Sequence, residues 1–429
     1  MAHRLDIVIV GAGLSGLAAA IQCALSGHSI TVLEGAKELA EIGAGLQLTP
    51  NATRLLQNWT VYDTIRDQVC EPTKLTVYNY RGKTLANEDN FNANIRRKYG
   101  APFSDCHRVD LQQALVKRAK ELGVQVVLNA KVTNVDFGSA SGDKARVKTS
   151  EGQEYEADLI VGADGLWSSC RSTMLGRNDP PLPTGDLAYR IVLKLDSIGD
   201  PKLRAMVQDP ACRFWAGPDA HVVAYSMRGG NVYNVVLLVP DDLEEGVART
   251  QGNLDEMRKL FGGWDPVLTQ LLEYVDKVDK WKLMHRAEME SWINPQNNLV
   301  LIGDSCHPML PYLAQGANSS IEDGAVLGLL LDPKYFGSKA HLPETLQLFQ
   351  QLRKARGEGI VRETFKQRKD FHLRDGPEQA RRDAMMLRQL GKELQGAFPS
   401  RWTCPEVQPW LYGYNASEEV EAAMRKRKG

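Results

Sequence analysis

Three glycines near the start of the chain have the spacing of a phosphate-binding turn. Gly11, Gly13 and Gly16 form the pattern GxGxxG directly after the apolar run 7–10. Gly11 allows a tight turn, Gly13 lets the backbone approach a pyrophosphate, and Gly16 lets the following helix lie close to the strand. The N–H groups and the dipole at the start of that helix would attract the phosphates. The pattern therefore predicts a dinucleotide site.

The elements around this turn are those that such a site needs. The continuous β-branched run 7–10 predicts a parallel strand that is buried on both faces. Apolar residues at helical spacing follow up to Gly27, and residues 29–33 predict a second strand that ends at Glu34. An acid about 20 residues after the motif accepts hydrogen bonds from ribose hydroxyls and would repel a 2′-phosphate. The site therefore favours FAD or NAD over NADP, and the turn alone leaves the choice between FAD and NAD open.

Two later strands also lead into acidic residues. Residues 157–162 predict a strand before Asp164 and Gly165, and residues 298–303 predict a strand before Asp304. Taken singly, Asp164 and Gly165 would form an ordinary turn, and Asp304 would be an N-cap. Their order behind the glycine turn is the feature that points to a family.

Three segments, GAGLSGL, VGADGLWSSCR and LIGDSCHPMLPYLAQGANSSIEDG, together resemble the group A flavoprotein monooxygenases, which have the para-hydroxybenzoate hydroxylase fold. Within that family the chain is most similar to the salicylate-hydroxylase-like branch, which includes fungal biosynthetic members. The resemblance covers roughly residues 1–340. It implies an α/β fold in which a Rossmann-like FAD-binding domain carries an inserted mixed or antiparallel β-sheet substrate domain and a C-terminal helical region.

The predicted domain boundaries follow changes of pattern along the chain. From about residue 183 the strands alternate in the manner of an antiparallel sheet, and residues 228–231 predict a hairpin turn. The FAD-binding domain is predicted in the segments 1–75, 101–182 and 285–340, the substrate domain in 76–100 and 183–284, and the helical region in 341–429.

The resemblance implies roles for residues in these segments. Asp304 would bind a ribityl hydroxyl of FAD. The N–H groups of Gly316 and Ala317, at a helix start, would face the pyrimidine oxygen of the flavin. Asp164 and Gly165 match a motif that serves both FAD and NAD(P)H in the family.

Two further segments resemble parts of the same flavin site. Residues 106–111 are similar to the R-x-D-L segment of the family, so Arg108 would reach the diphosphate or the ribityl chain. Residues 43–47, which include Gly45, resemble the loop beside the isoalloxazine ring. Gln47 departs from relatives that carry an acid or a base in this loop, so a catalytic acid or base would have to come from elsewhere.

Three polar residues of the predicted substrate sheet are candidates for contact with the substrate. Arg190 lies within a predicted strand, and His221 and Tyr225 share one face of another because they are an even number of residues apart. By resemblance to ring hydroxylases, Arg190 would hold an anionic substrate, and His221 with Tyr225 would deprotonate or orient a hydroxyl. The alternative is a half-exposed sheet with ordinary polar residues.

The resemblance implies an FAD-dependent monooxygenase. It would use NAD(P)H and O₂ to hydroxylate a small aromatic or heteroaromatic substrate through a flavin C4a-hydroperoxide. Three alternatives stay open: a flavin epoxidase or oxygenase of an indole-type or alkene substrate in secondary metabolism, a flavin dehydrogenase that uses O₂ only to regenerate itself, and a catalytically silent FAD-binding protein.

The composition argues against other classes of function. The net charge of −1 gives no electrostatic case for nucleic acid or an anionic membrane surface. No apolar stretch reaches the ~18–20 residues that a membrane helix needs. Seven cysteines without a CxxC pair, and eight histidines without HxH or HExxH spacing, predict neither a disulfide framework nor a metal site. We expect a cytoplasmic protein that is a monomer or a homodimer.

The C-terminal part is predicted to be helical and to pack on the FAD-binding domain. Gly357 and Gly359 fall inside the charged helical stretch 354–369 and argue against one unbroken helix there. The aromatic cluster that contains Trp402 and Trp410 is expected to anchor the tail and not to build a site.

Overall fold

The computed structural model describes residues 4–39, 44–139, 143–392 and 394–428, so Gly43 of the predicted flavin loop lies outside the described residues. The strands are β1 (Asp6–Val10), β2 (Ser29–Leu33), β3 (Gly45–Leu48), β4 (Lys74–Asn79), β5 (Thr84–Asp89), β6 (Ser104–His107), β7 (Gln125–Val127), β8 (Val132–Asp136), β9 (Ala145–Thr149), β10 (Glu154–Ala157), β11 (Leu159–Gly162), β12 (Leu182–Lys194), β13 (Ala211–Gly217), β14 (Ala220–Met227), β15 (Val232–Pro240), β16 (Arg249–Gln251), β17 (Asp279–His285) and β18 (Leu299–Leu301). The helices are α1 (Leu14–Leu25), α2 (Pro50–Asn58), α3 (Val61–Ile65), α4 (Phe91–Tyr99), α5 (Arg108–Glu121), α6 (Ser169–Leu175), α7 (Pro201–Gln208), α8 (Leu254–Leu260), α9 (Pro266–Glu273), α10 (Gly316–Leu330), α11 (Leu342–Phe371), α12 (Pro377–Arg388), α13 (Gln408–Tyr412) and α14 (Ala416–Lys428).

A parallel five-stranded sheet forms the first layer, in the order β18-β11-β1-β2-β7. The strand β1 lies in its centre, and its residues Ile7 to Val10 are at most 4% exposed. The run is continuously apolar because helices and loops cover both faces of the sheet. This confirms the predicted Rossmann-like domain.

Two long helices meet on this sheet at close range. A Cβ atom at Gly324 of α10 would lie only 2.4 Å from the backbone nitrogen of Ala19 in α1. The absence of a side chain therefore lets the two helix axes approach closely. This packing brings the N-terminus of α10 to the same edge of the sheet as the N-terminus of α1.

An eight-stranded sheet forms the second layer, in the order β16-β17-β12-β15-β14-β13-β4-β5. Its strand pairs are antiparallel except for β13 and β4, which run parallel. The predicted strands around Arg190 and Tyr225 are β12 and β14, and the predicted hairpin turn lies at residues 228–230 between β14 and β15. The mixed sheet of the predicted fold is thereby confirmed.

The C-terminal helix α11 corrects one expectation. It runs unbroken from Leu342 to Phe371, through Gly357 and Gly359. A Cβ atom at Gly357 would come within 3.0 Å of His307 and 3.1 Å of Trp292. At Gly357, therefore, the glycine allows close packing of the helix against the core and does not break it.

All seven cysteines are buried and free. Among the helices within the described ranges, none is both long enough and apolar enough to cross a membrane.

Candidate active site

A cavity of about 290 Å³ is lined by residues from both sheets and from the C-terminal part. The predicted site residues in its wall are Gly13, Gly45, Arg108, Gly165, Arg190, Tyr225, Asp304, Gly316 and Ala317. The predicted residues that lie outside the wall are Gly11, Gly16, Glu34, Asp164 and His221. The fold therefore brings segments more than 300 residues apart in the chain to one place.

The three glycines of the first turn have different surroundings. Gly11 has a φ of +105°, and a Cβ atom there would lie 2.4 Å from the carbonyl oxygen of Ala163. A Cβ atom at Gly16 would lie 2.0 Å from the carbonyl oxygen of Gly11, so α1 can approach β1 only without a side chain here. At Gly13 a Cβ atom would meet no protein atom within 4 Å. The turn therefore leaves an open backbone face at the start of α1, where a phosphate group fits.

Glu34 closes β2 next to this turn. One oxygen of its carboxylate accepts a hydrogen bond from the backbone N–H of Ala12 at 2.8 Å, and the other accepts one from Ala36 at 2.9 Å. The two oxygens of a carboxylate offer about four acceptor positions, so about two more hydrogen bonds could be accepted beside the turn. Glu34 thus braces the glycine turn as well as offering acceptors beside it.

The carboxylate of Asp164 holds the next turn together. It accepts hydrogen bonds from the hydroxyls of Ser168 and Ser169 and from the backbone N–H of Cys170 at 3.0 Å. These bonds tie the turn to the first residues of α6, and Gly165, with a φ of +73°, lines the cavity with its backbone. Asp164 therefore shapes the wall from behind.

Asp304 and the start of α10 form the opposite part of the wall. The carboxyl group of Asp304 is open to the cavity but enclosed by protein elsewhere, and this burial raises its pKa against the opposing charges of His307 and Arg108. Gly316 and Ala317 are the first two residues of α10. N–H groups in a first helical turn have no acceptor within the helix, so they are available to an oxygen in the cavity.

A buried ionic network fixes α10 from behind. Arg353 of α11 donates to Asp323 and lies 2.7 Å from a carboxylate oxygen of Glu322, and all three side chains are fully buried. Burial alone would raise the pKa of Asp323, but the charges of His307 and Arg353 lower it to about 2. Both acids of α10 therefore stay ionised and paired, which holds the helix in place.

The side chains of Cys306, His307 and Asp323 are close enough together to consider a metal ion. However, Nε2 of His307 already lies 2.6 Å from Asp323, and Arg353 donates to the other oxygen of that carboxylate. A divalent cation would have to displace His307 and would face the guanidinium charge. The contacts of this group are those of an ion-pair network.

Arg190 and Tyr225 project from the second sheet into the cavity. The guanidinium carbon of Arg190 lies over the ring of Trp281, 4.6 Å from its centroid, which is a cation–π contact. Tyr225 is 3% exposed, and burial raises the pKa of its hydroxyl well above the ordinary value. Its ring adjoins Gly45, where a Cβ atom would lie 2.7 Å from the tyrosine oxygen.

His221 lies behind the cavity wall, although it shares a strand face with Tyr225. Its Nδ1 atom is 2.6 Å from Nε2 of His372 at the end of α11, and its ring packs edge-on against Tyr312. Tyr312 lines the cavity in front of it. Burial lowers the pKa of both histidines, that of His372 to about 4. Both imidazoles are therefore neutral, and one of the two facing nitrogens donates its hydrogen to the other.

The aromatic cluster of the tail contributes to the cavity, contrary to the expectation from the sequence. Trp402 is 2% exposed and lines the cavity, and its Nε1 atom donates to the carbonyl oxygen of Tyr312 at 3.0 Å. Aromatic residues near a chain end are common in anchors, so their type alone could not reveal this position. Tyr312 lies within one of the three segments that carry the family resemblance, but a single tyrosine in a loop gives no signal that it lines a cavity.

Comparisons with known proteins agree with this geometry. A family model for the FAD binding domain matches residues 4–364. The FAD-dependent monooxygenase OpS4 of Beauveria bassiana (strain ARSEF 2860) is 47% identical over 427 residues, which are 99% of this chain and 98% of that protein. A 3-hydroxybenzoate 6-hydroxylase of Klebsiella oxytoca is 30% identical over 424 residues, which are 98% of this chain and all of that protein.

Solved structures share the fold over the whole chain. The crystal structure of CtdE in complex with FAD and a substrate superposes with a TM-score of 0.83 at 20% identity, over 99% of this chain and 100% of that chain. A salicylate hydroxylase substrate complex gives a TM-score of 0.78 at 20% identity, over 98% of each chain. The chain therefore belongs to the FAD binding domain family and is an FAD-dependent monooxygenase.

Proposed function

We propose that this monooxygenase consumes NAD(P)H and O₂ to hydroxylate a small aromatic substrate. The observation that carries the proposal is that the glycine turn, Asp304, the start of α10 and the side chains of Arg190 and Tyr225 all open into one cavity. The names of related proteins, which include hydroxylases of 3-hydroxybenzoate, support an aromatic substrate.

The cofactor side of the cavity fits FAD. The open backbone face at Gly13 and the N-terminus of α1 would hold the diphosphate, and Arg108 would add a positive charge to it. Asp304 would accept a hydrogen bond from the ribityl chain. Gly316 and Ala317 would donate N–H groups to the pyrimidine oxygen, and the α10 dipole would stabilise negative charge there.

The substrate side would bind an electron-rich ring. Arg190 would attract a carboxylate or phenolate, and Tyr225 would orient a hydroxyl while remaining protonated, because burial raises its pKa. Apolar side chains, among them Val223, Leu238 and Trp402, would exclude water from the reacting groups. FAD, when bound, supplies the acceptance of a hydride and the activation of O₂.

NAD(P)H would bind only transiently. The sequence contains one GxGxxG turn, and that turn belongs to the FAD side of the cavity. The co-substrate would therefore approach the flavin along the cavity mouth, without a second nucleotide fold to retain it.

The test is a screen of phenols, benzoates and indoles with the FAD-loaded enzyme. Oxidation of NADH or NADPH should accelerate in the presence of a substrate, and ¹⁸O₂ should label the hydroxylated product. A labelled epoxide or its rearrangement product would favour oxygenation of an indole or alkene. Stoichiometric peroxide with no labelled product from any compound would contradict hydroxylation.

A further inference from the structure

Two neighbouring side chains that the proposed chemistry does not use lie in and behind one part of the cavity wall. Gln47 of β3 and Asp105 of β6 are exact partners in the register of a two-stranded antiparallel sheet. Side chains of directly opposed residues lie on the same face of such a sheet. Gln47 lines the cavity and is 6% exposed, whereas Asp105 lies behind it and is 1% exposed.

The contacts of Gln47 use both hydrogens of its amide group. Its Nε2 atom donates to Oδ1 of Asp105 at 2.8 Å and to Sγ of Cys212 at 3.2 Å. A glutamine amide has two N–H donors and one carbonyl acceptor. With both donors directed away from the cavity, the carbonyl oxygen Oε1 is the polar atom that Gln47 offers to a ligand.

The backbone of Gln47 is also held firmly. Its carbonyl oxygen accepts a hydrogen bond from the side-chain amide of Asn318 at 2.9 Å, and Asn318 in turn accepts one from the N–H of Thr49 at 2.9 Å. Asn318 belongs to the first turn of α10, directly after Gly316 and Ala317. Gln47 is therefore fixed relative to the helix start that faces the proposed flavin site.

Asp105 is a costly residue to keep in this place. Within the described ranges no cation lies within salt-bridge distance of its carboxyl group, and burial raises its pKa well above the ordinary value, with the hydrogen bond from Gln47 opposing the shift. An acid buried without a counter-charge destabilises the fold when it ionises. A function in orienting the glutamine amide explains its presence.

We propose that Gln47 is a specificity-determining residue whose carbonyl oxygen accepts a hydrogen bond from a hydroxyl or N–H group of the substrate, and that Asp105 is a positioning residue that orients this amide. The inference rests on the proposed function and deepens it. It defines the substrate class as aromatic rings that carry a hydrogen-bond donor at the position facing β3. The neutral amide binds this donor without removing its proton.

The test compares pairs of ligands that differ only in the donor. The probes are 3-hydroxybenzoate against 3-fluorobenzoate, and 4-hydroxyindole against 4-fluoroindole. Each is titrated into the oxidised, FAD-loaded enzyme, and the Kd is taken from the change in flavin absorbance. The wild-type enzyme should bind the hydroxyl member of at least one pair about tenfold or more tightly, because the fluorine leaves the carbonyl without a donor.

Variants then assign this preference to the two residues. Gln47→Leu should reduce the preference to about twofold or less, since it removes the carbonyl and keeps most of the volume. Asp105→Asn should reduce it in part, because an asparagine both donates and accepts and thus allows either orientation of the amide. In the double variant Gln47→Glu with Asp105→Asn, the side chain at position 105 donates the hydrogen bond and the side chain at position 47 accepts it. The second oxygen at position 47 still faces the cavity, so the preference for the hydroxyl member should return.

A matched control removes a buried amide elsewhere. Gln22 of α1 accepts a hydrogen bond from Nε1 of Trp59 at 2.8 Å and lies outside the cavity wall. Gln22→Leu should leave the preference unchanged. The flavin spectrum of each variant reports whether it folds and holds FAD. If Gln47→Leu does not fold with FAD bound, Asp105→Asn provides the test.

The outcomes separate the inference from the proposed function. Equal binding of both members in the wild-type enzyme, or a preference that survives Gln47→Leu, would overturn the inference while hydroxylation of the ring stands. If no probe changes the flavin spectrum and no compound of the screen accelerates NAD(P)H oxidation, both the inference and the proposed function are overturned.

Discussion

Gly13 and Gly16 stand three residues apart in one turn, yet a side chain at each would meet different surroundings. Gly16→Ala would force a methyl group against the carbonyl oxygen of Gly11, so it should lower the free energy of unfolding of the apoprotein by about 2 kcal/mol or more. Gly13→Ala meets no protein atom within 4 Å and should cost about 1 kcal/mol or less. Its methyl group would instead occupy the proposed diphosphate position and weaken FAD binding.

Urea unfolding of the apoproteins and FAD titration by fluorescence quenching measure the two effects separately. Equal losses of stability in both variants would contradict the open face at Gly13, and an unchanged FAD affinity in Gly13→Ala would show that this face is not the diphosphate site.

For single residues, the sequence predicted which positions matter in the glycine and aspartate turns better than it predicted their hydrogen bonds. The three glycines occupy the positions that the spacing required, because steric limits on the backbone are local. Asp164 and Glu34 were expected to face a ligand, yet both also bond to backbone N–H groups of their own turns. Such bonds depend on loop conformations that spacing along the chain does not determine.

At the scale of elements, alanine substitutions at the two glycines of α11 are expected to change stability in opposite directions. Alanine has a helix propensity about 1 kcal/mol better than glycine, and Gly359→Ala would make only ordinary contacts, at 3.4 Å or more, with Trp410. This variant should raise the free energy of unfolding by up to about 1 kcal/mol. Gly357→Ala should lower it, because the methyl group would press on the rings of His307 and Trp292, which are both buried in the core.

Thermal or urea unfolding of the two single variants tests this difference. A gain of stability in both would mean that the core beneath Gly357 can adjust. From the sequence alone these glycines argued against one unbroken helix, because glycine in a helix is unfavourable on average. The packing that offsets this cost involves residues about 50 and 65 positions away in the chain.

The contact between β14 and α11 makes stability depend on pH. Burial lowers the pKa of His221 and of His372, the latter to about 4, so as the pH falls from 6.5 toward 4 these two residues bind fewer protons in the folded chain than in the unfolded chain. The free energy of unfolding contributed by this pair is present above pH 6.5 and is lost as the pH falls toward 4. His372→Gln removes one of the two titrating groups and should make that decline shallower.

Urea unfolding between pH 4 and 8 measures the slope for each variant. His341→Gln is the matched control, since its imidazole is exposed and the slope should stay as in the wild type. An unchanged slope in His372→Gln would contradict the buried neutral pair.

For the whole molecule, the C-terminal part closes the cavity that the two sheets leave open. Trp402→Ala should open a path for water and raise the share of NAD(P)H oxidised to peroxide without hydroxylated product, if the proposed function holds. Trp402→Phe keeps a ring in the wall and loses only the hydrogen bond to Tyr312, so it should have the smaller effect. Peroxide and product yields per NAD(P)H check this, and equal coupling in both variants would contradict a sealing role.

The architecture of the two sheets was predictable because buried parallel strands and antiparallel hairpins leave distinct patterns of apolar residues. The position of the tail was not, since a cluster such as the one around Trp402 can pack against any apolar surface. The same limit applies to His221: the alternation of the strand predicted its face, whereas the side chain of Tyr312, from a distant loop, separates it from the cavity.

The seven buried thiols can be used to measure where the folded protein opens. A coloured disulfide reagent such as DTNB can reach a sulfur atom only when the surrounding packing opens. The cysteines are distributed over both layers and the tail, so the order in which they become labelled in mild denaturant would rank the regional openings of the molecule. Saturating FAD should slow the labelling of Cys106 and Cys306, which lie two positions in the chain from Arg108 and Asp304 of the proposed FAD site, more than that of Cys404.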